Sequence, residues 1–403
     1  MSGAGDDLSY RVVAPDDEQF ALNAALAYNR PTGEAHRAQR TPSPEARRGL
    51  YRNGRLVTQC VLLPLRIAHG GGGTVPAGGI GAVATPPEER RRGYVARLLR
   101  EVCDELRSQR APLGMLSAFK ESFYRRYGWA TFYEARRFSG APAWFAPFRA
   151  QQAGRWERLD ESAAATAELD AAYRSALRGR FGPLERDAVW WQTRVLHAGD
   201  GSPHWAYLWR DDAGRGRSYA IFSIERGERG QELRCREAAA LDPQARAQIF
   251  ALFSMFEDQC VDVVFNAPAD APVQALMSDP LRCAMVPGAM LRMIDVAMAM
   301  EAYSFPPDVA GRLTIRITDD WLDHNNGVFA LDVEGGGARM TRLSDGVDAD
   351  IHCDVRTLTQ VYSRYLRPRT AAAFGLIDAR SRPALALVER LFAGLAPYAS
   401  DWF

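Results

Sequence analysis

Between Gly78 and Leu99 the chain reads GGIGAVATPPEERRRGYVARLL. An apolar strand ends near Val83, breaks at Pro86-Pro87 into a short basic loop, and restarts as a helix from about Arg92. Val95, Leu98, Leu99, Val102 and Leu106 recur at helical spacing, with arginines and acids on the other face. Such a strand–loop–helix unit aims consecutive backbone N–H groups, the positive end of the helix dipole and several guanidiniums at one point, which suits a pyrophosphate. Gly93 stands where a side chain would keep a phosphate from the backbone. The plainer alternative is an arginine-rich helix start that faces water.

Composition narrows the classes. A length of 403 residues implies two or three domains. An apolar fraction of 47% with 25% charged residues is that of a folded, water-soluble protein. The formal net charge of +1 argues against bulk attraction to nucleic acid or anionic membrane. Apolar runs fall short of the roughly 20 residues that a membrane span needs. The start, MSGAGDDLSYRVV, lacks the basic and apolar regions of a signal peptide, so a cytoplasmic location is expected. Six scattered cysteines without a CxxC pair fit reduced thiols. His36, His69, His197, His204, His324 and His352 show no metal-ligand spacing, so no metal is expected. Lys120 is the only lysine.

Three stretches differ in texture. Up to residue 142, strand-like Leu56–Ile67, Val75–Ala84 and Leu113–Phe119 alternate with helical segments, and Trp129–Phe138 reads as a closing strand. Residues 143–303 mix helical Ala163–Leu177 and Ala245–Phe256 with strands Trp205–Trp209, Tyr219–Glu225 and Val261–Asn266. Residues 304–403 carry strand-like Gly311–Asp319 and Gly327–Glu334 and helix-like Asp354–Tyr365 and Ala384–Ala393. The expected class is α/β to α+β.

Arg90-Arg91-Arg92-Gly93-Tyr94-Val95 resembles the [Q/R]-x-x-G-x-[G/A] signature of the GNAT acetyltransferases, departing at Val95, after which Ala96 follows. A second element stands at the spacing of that family: Leu116-Ser117-Ala118-Phe119, then Phe123-Tyr124-Arg125-Arg126-Tyr127-Gly128-Trp129. The resemblance implies that Arg91, Arg92, Gly93, Tyr94, Val95 and Ala96 hold the diphosphate of acetyl-CoA. It implies that the strand end Val83, Ala84 and Thr85 pairs with the pantetheine, and that Phe119 and Lys120 line its wall. It makes Tyr124 the general acid for the leaving thiolate, with Tyr127 and Tyr94 as nearby alternatives. A phenol with a reference pKa of about 10 is protonated at pH 7 and can donate.

The whole length resembles the enhanced-intracellular-survival (Eis) type of GNAT enzyme. Gly311-Arg312-Leu313-Thr314-Ile315-Arg316, Asn325-Asn326-Gly327 with Phe329, and the end Ser400-Asp401-Trp402-Phe403 carry that likeness. It implies two tandem GNAT-like mixed-sheet domains followed by a sterol-carrier-like α+β domain, and the α-carboxylate of Phe403 as the base. It further implies a polycationic amine substrate such as an aminoglycoside, and a homohexamer. Asp401 is a candidate to hold a second ammonium of that substrate. The phenylalanine of Phe119-Lys120 departs from the Ser-Glu pair of some members, which bears on the acceptor pocket. Two other readings compete: a ligand-binding protein on an inactive GNAT scaffold, and a protein-lysine acetyltransferase.

Overall fold

The computed structural model describes residues 8–29, 44–159, 166–196 and 204–401. Three mixed sheets carry the architecture. The first has eight strands. In spatial order they are β1 (Leu8–Val12), β2 (Arg47–Arg52), β3 (Arg55–His69), β4 (Thr74–Ala84), β5 (Leu113–Leu116), the strand Met290–Met293 and β6 (Ala130–Thr131), with Phe181–Leu184 pairing β3 off this path. The second has seven strands, in the order 282–287, 134–140, 262–268, 231–240, 216–226, 205–210 and 155–159. The third has five, in the order 337–342, 327–334, 311–318, 351–354 and 377–379.

The sheets exchange strands across the divisions expected from sequence. Trp129–Phe138 is not one closing strand: it breaks at Phe132-Tyr133, leaving β6 in the first sheet and Glu134–Gly140 in the second. Both aromatic side chains at the break are buried, and the Phe132 ring meets that of Phe181. Burying this pair between the sheets directs the chain from one to the other. Met290–Met293 fills the gap between β5 and β6, pairing antiparallel with both. Residues 143–303 therefore supply two strands of the first sheet.

The helix α1 (Glu18–Tyr28) starts at Asp17, whose carboxylate accepts from the Gln19 N–H at 3.0 Å, a cap of ordinary type. The helix α2 (Tyr94–Ser108) packs on the first sheet through Tyr94, Leu98, Leu99, Val102, Cys103 and Leu106, all buried. Each fully buried aliphatic side chain in such a stripe contributes about 1.5–3 kcal/mol. Gly78 lets α2 approach β4, because a Cβ there would lie 2.4 Å from the Leu106 side chain. The connection between the strands 311–318 and 327–334 reaches the same region: Trp321 packs on Tyr127 at 5.3 Å between centroids, beneath the Arg100 guanidinium. No described helix is long and apolar enough to cross a membrane.

Candidate active site

β4 and β5 run parallel and in register only from Ala77↔Leu113 to Ile80↔Leu116. There β5 ends, while β4 continues to Ala84. The two strands part, and the β5-facing edge of Gly81–Ala84 loses its neighbour. A bulge sharpens the parting. Gln59 pairs with Ala84 but Val61 with Gly81, so β4 carries an extra residue there, and Ala82 takes a positive φ of 48°. A left-handed alanine costs about 1–2 kcal/mol and re-aims the strand end.

Val83 and Thr85 are half-buried and Ala84 is buried at this end. The Thr58 hydroxyl lies 3.1 Å from the Ala84 carbonyl and 2.8 Å from the Thr85 hydroxyl, fixing the strand as it leaves the sheet. Arg90 donates through Nε to the Thr85 carbonyl at 3.1 Å and closes the loop that follows. Arg91 takes a left-handed φ of 61° and Gly93 one of 81°. Gly93 is the N-cap of α2, without a side-chain cap bond, and a Cβ on it would meet nothing within 4 Å. The loop thus requires glycine for its backbone, and the space in front of it is open. The first N–H groups of α2, at Tyr94, Val95 and Ala96, precede the first helical bond, which Arg97 makes to the Gly93 carbonyl at 3.1 Å.

Arg91 and Arg92 are exposed at this helix start, Arg92 lying 3.6 Å from Glu89. Several guanidiniums, free backbone donors and a helix N-terminus therefore converge on one open spot, which suits a doubly charged phosphate group. The Tyr94 side chain, by contrast, is buried in the core with Leu98 and Val102.

Beyond β5, Phe119 is exposed at 72% and Lys120 is also exposed at the start of α3 (Glu121–Arg125). Tyr124 on α3 is 3% exposed, ringed by Phe119, Phe123 and Trp129 at 5.8, 5.0 and 6.5 Å. Burial pushes its phenol above the ordinary value, and Tyr28, Cys60 and Tyr127 add to the rise. A phenol so placed holds its proton throughout the neutral range. Tyr127 is half-buried against Phe123 and Trp321.

Two residues at the parting were not read from sequence. Ala82 gives no local signal of a left-handed conformation. Tyr28 ends α1, and its hydroxyl donates to the Val83 carbonyl at 3.4 Å; the Asp17 cap ahead of an alanine- and leucine-rich run was the available signal for its helix.

Asp401 does not match the expectation of a substrate-facing carboxylate. It is 5% exposed, and both its oxygens are engaged. One accepts from Arg186 Nε at 3.0 Å and from Trp190 Nε1 at 2.8 Å, the other from the Tyr173 hydroxyl at 3.2 Å. A carboxylate satisfied inside the protein has no face left for an ammonium. Phe403, expected to supply the base, lies outside the described residues. Among those residues no group of three His, Cys, Asp or Glu could hold a metal ion.

Comparison with known proteins agrees with this architecture. Residues 10–132 match a family model described as an acetyltransferase (GNAT) domain, residues 182–293 a second such model, and residues 296–400 a sterol carrier protein domain. An uncharacterized N-acetyltransferase of Streptomyces griseus is 28% identical over 386 residues, 88% of each chain. The N-acetyltransferase Eis of Mycobacterium bovis is 26% identical over 360 residues, 85% of this chain and 84% of that one. The crystal structure of a GCN5-related N-acetyltransferase from Anabaena variabilis shares the fold, with a TM-score of 0.85 at 23% identity, covering 98% of this chain and 100% of that one.

Proposed function

Because the chain belongs to the Eis-like acetyl-CoA-dependent N-acetyltransferases, two GNAT domains followed by a sterol carrier protein domain, we propose that its acceptor is a polycationic small-molecule amine of the aminoglycoside kind. The transfer is direct, without an acyl-enzyme. The observation that supports acetyl-CoA use at this site is the parting of β4 from β5 after Ile80↔Leu116, flanked by the open helix start at Gly93 and by the buried phenol of Tyr124; the choice of acceptor rests on likeness to the Eis relatives.

Acetyl-CoA supplies an activated acyl group; the chain's own residues bind, orient and move protons. Arg91, Arg92 and the N–H groups of Tyr94, Val95 and Ala96 hold the diphosphate. The freed edge of Val83, Ala84 and Thr85 pairs with the pantetheine, a backbone N–H near Val83 polarises the thioester carbonyl, and Phe119 and Lys120 flank the opening. The acceptor nitrogen forms its bond to the acyl carbon as the C–S bond breaks. Its proton passes to the α-carboxylate of Phe403, directly or through water, and the departing sulfur takes the Tyr124 proton. A carboxylate with a reference pKa of about 3.5 is ionised at pH 7 and also attracts a cationic acceptor.

Support for a base at the chain end comes from the path of the described tail. Its Tyr398 N–H donates to the Phe181 carbonyl at 2.9 Å, and Tyr398 and Ala399 are buried. A segment held in the interior as far as Asp401 supports that reading. Family resemblance further supports a homohexamer. The test is CoA-thiol release by the native chain and by one with two glycines added after Phe403. Loss of turnover with acetyl-CoA binding intact supports the terminal base; equal turnover removes it.

A further inference from the structure

The strand Met290–Met293 lies against β5 with Met290 opposite Leu116, the residue at which β4 and β5 part, and Arg292 opposite Gly114. The Arg292 side chain is wholly buried and meets the turn at Gly128 that follows α3: a Cβ on Gly128 would stand 2.6 Å from its Cζ. Its Nη2 donates to Asp319 at 2.5 Å, while among the described residues Nε and Nη1 meet no acceptor. The bond to Asp319 therefore sets the direction of the guanidinium. Asp319 is itself fixed. One of its oxygens accepts the Trp321 and Leu322 N–H groups at 3.1 Å each, and the other accepts from Asn325 Nδ2 at 3.1 Å. The sterol-carrier-like domain touches the same turn elsewhere. Leu322 packs in the core cluster that holds Tyr124, and Trp321 packs on Tyr127. Arg356 donates through Nη1 to the Arg125 carbonyl at 3.4 Å, and Gln360 donates to the Thr131 carbonyl at 3.0 Å.

We propose that Asp319 and Arg292 are positioning residues for the acetyl transfer: through them the sterol-carrier-like domain seats the turn after α3 and so aims the Tyr124 phenol at the departing sulfur. The inference rests on the reading of Tyr124 as the general acid. Its physical basis is that α3 cannot seat itself. A helix of five residues is not stable alone, and its start at Lys120 has no side-chain cap. Phe119 and Lys120, at that start, are exposed. The fixed contacts lie at the other end. The Tyr127 and Trp129 N–H groups both donate to the Tyr124 carbonyl, at 2.9 and 3.4 Å, and the Gly128 N–H donates to that of Arg125 at 3.0 Å. The residue that carries the phenol and the turn that Arg292 meets are thus one hydrogen-bonded unit. Arg292 acts on this turn, whereas the groups that bear on the phenol are Tyr28, Cys60 and Tyr127. A buried ion pair adds little stability, because apolar residues of similar volume pack as well. What it adds here is direction, from a carboxylate held at both oxygens. Catalytic groups tolerate little displacement, since an error of about 1 Å can cost on the order of 100-fold in rate.

The test uses the full-length chain and measures CoA-thiol release with kanamycin, spermidine and a lysine peptide as acceptors. Arg292→Met combined with Asp319→Asn removes both buried charges at similar volume, so neither is stranded. Arg356→Ala, at a half-buried position, loosens the same turn without touching the core and serves as the second variant. The expected result is that the double substitution lowers kcat about 10- to 100-fold with acetyl-CoA affinity unchanged in titration calorimetry. Arg356→Ala lowers kcat by less, and Arg292→Lys, which keeps a cation for Asp319, retains more of the rate than the double substitution. In a Tyr124→Phe background none of these changes lowers kcat further, because the phenol they aim is gone. Unchanged kcat in the double variant, or in Arg356→Ala where the double variant does not fold, overturns the positioning role; if Tyr124→Phe still loses turnover, the general acid stands. Full turnover by Tyr124→Phe overturns both, as does a native chain that releases thiol with none of the acceptors. Losses that multiply in the Tyr124→Phe background, or acetyl-CoA affinity falling in step with kcat and melting temperature, identify a merely structural contact and also overturn the positioning role.

Discussion

Replacing Gly93 by alanine separates what the basic loop does for folding from what it does for the cofactor. The residue sits at φ 81°, where an L side chain costs about 1–2 kcal/mol. Alanine recovers about 0.4–1 kcal/mol by restricting the unfolded chain. A Cβ there meets no atom within 4 Å, so no packing penalty is added. The net loss of stability is therefore about 1 kcal/mol, read from urea unfolding. Binding suffers more, because the new methyl occupies the open side over which the N–H groups of Tyr94, Val95 and Ala96 must reach a phosphate. One charge-assisted hydrogen bond lost costs about 1.5–3 kcal/mol, which is roughly a 10- to 100-fold weaker Kd for CoA by titration calorimetry. A Gly93→Ala protein that binds CoA as tightly as wild type, with only the stability loss, would refute the assignment of this loop to the diphosphate.

Other perturbations follow from the same geometry. Tyr124→Phe removes a hydroxyl for which no described residue provides a hydrogen bond; steady-state assays are expected to show kcat about 100-fold lower, with melting temperature and acetyl-CoA affinity unchanged. Burial alone would raise the Glu237 carboxyl, but the charge and hydrogen bonds of Arg186, with Tyr219, hold it at about 2 instead of 4.5. A lowered folded pKa contributes stability that is present above about pH 4.5 and is lost as pH falls toward 2; Glu237→Gln should flatten that acid limb in urea midpoints measured against pH. At Gly114 a Cβ would lie 2.7 Å from the Trp129 ring and 3.3 Å from Ile294, so Gly114→Ala should destabilise by about 1–3 kcal/mol in denaturant titration, and an unchanged midpoint would mean that the ring moves aside freely.

Local pattern was the legible part of this chain. The periodicity of Val95, Leu98, Leu99, Val102 and Leu106 announces α2 because one helix face must be apolar to cover a sheet. The turn that precedes it is equally plain, since Gly93 is the residue type that a positive φ at the helix cap demands. Strand partnership is a different matter. Nothing in Met290–Met293 says that it will pair with β5, some 170 residues earlier, because a short apolar run satisfies any buried edge. The break at Phe132-Tyr133 looked like strand for the same reason: aromatic residues suit both a strand and the contact between two sheets. Asp401 was misread because a carboxylate near a chain end is ordinarily solvated; its partners Arg186, Trp190 and Tyr173 lie more than 200 residues away and share no motif with it. Ala82 shows the limit most clearly, since the bulge is imposed by pairing with β3 and leaves no trace in the residue type.

Acetylation of polycationic amines by acetyl-CoA at the parted strands is read from CoA-thiol release with a panel of aminoglycosides, linear polyamines and lysine peptides. Saturable turnover is expected with the small polycations, with convergent sequential kinetics rather than a ping-pong pattern and a product heavier by one acetyl group for each thiol released. Tight acetyl-CoA binding without turnover of any amine would contradict it and favour a ligand-binding protein on an inactive scaffold, and turnover of peptide lysines alone would move the acceptor to proteins.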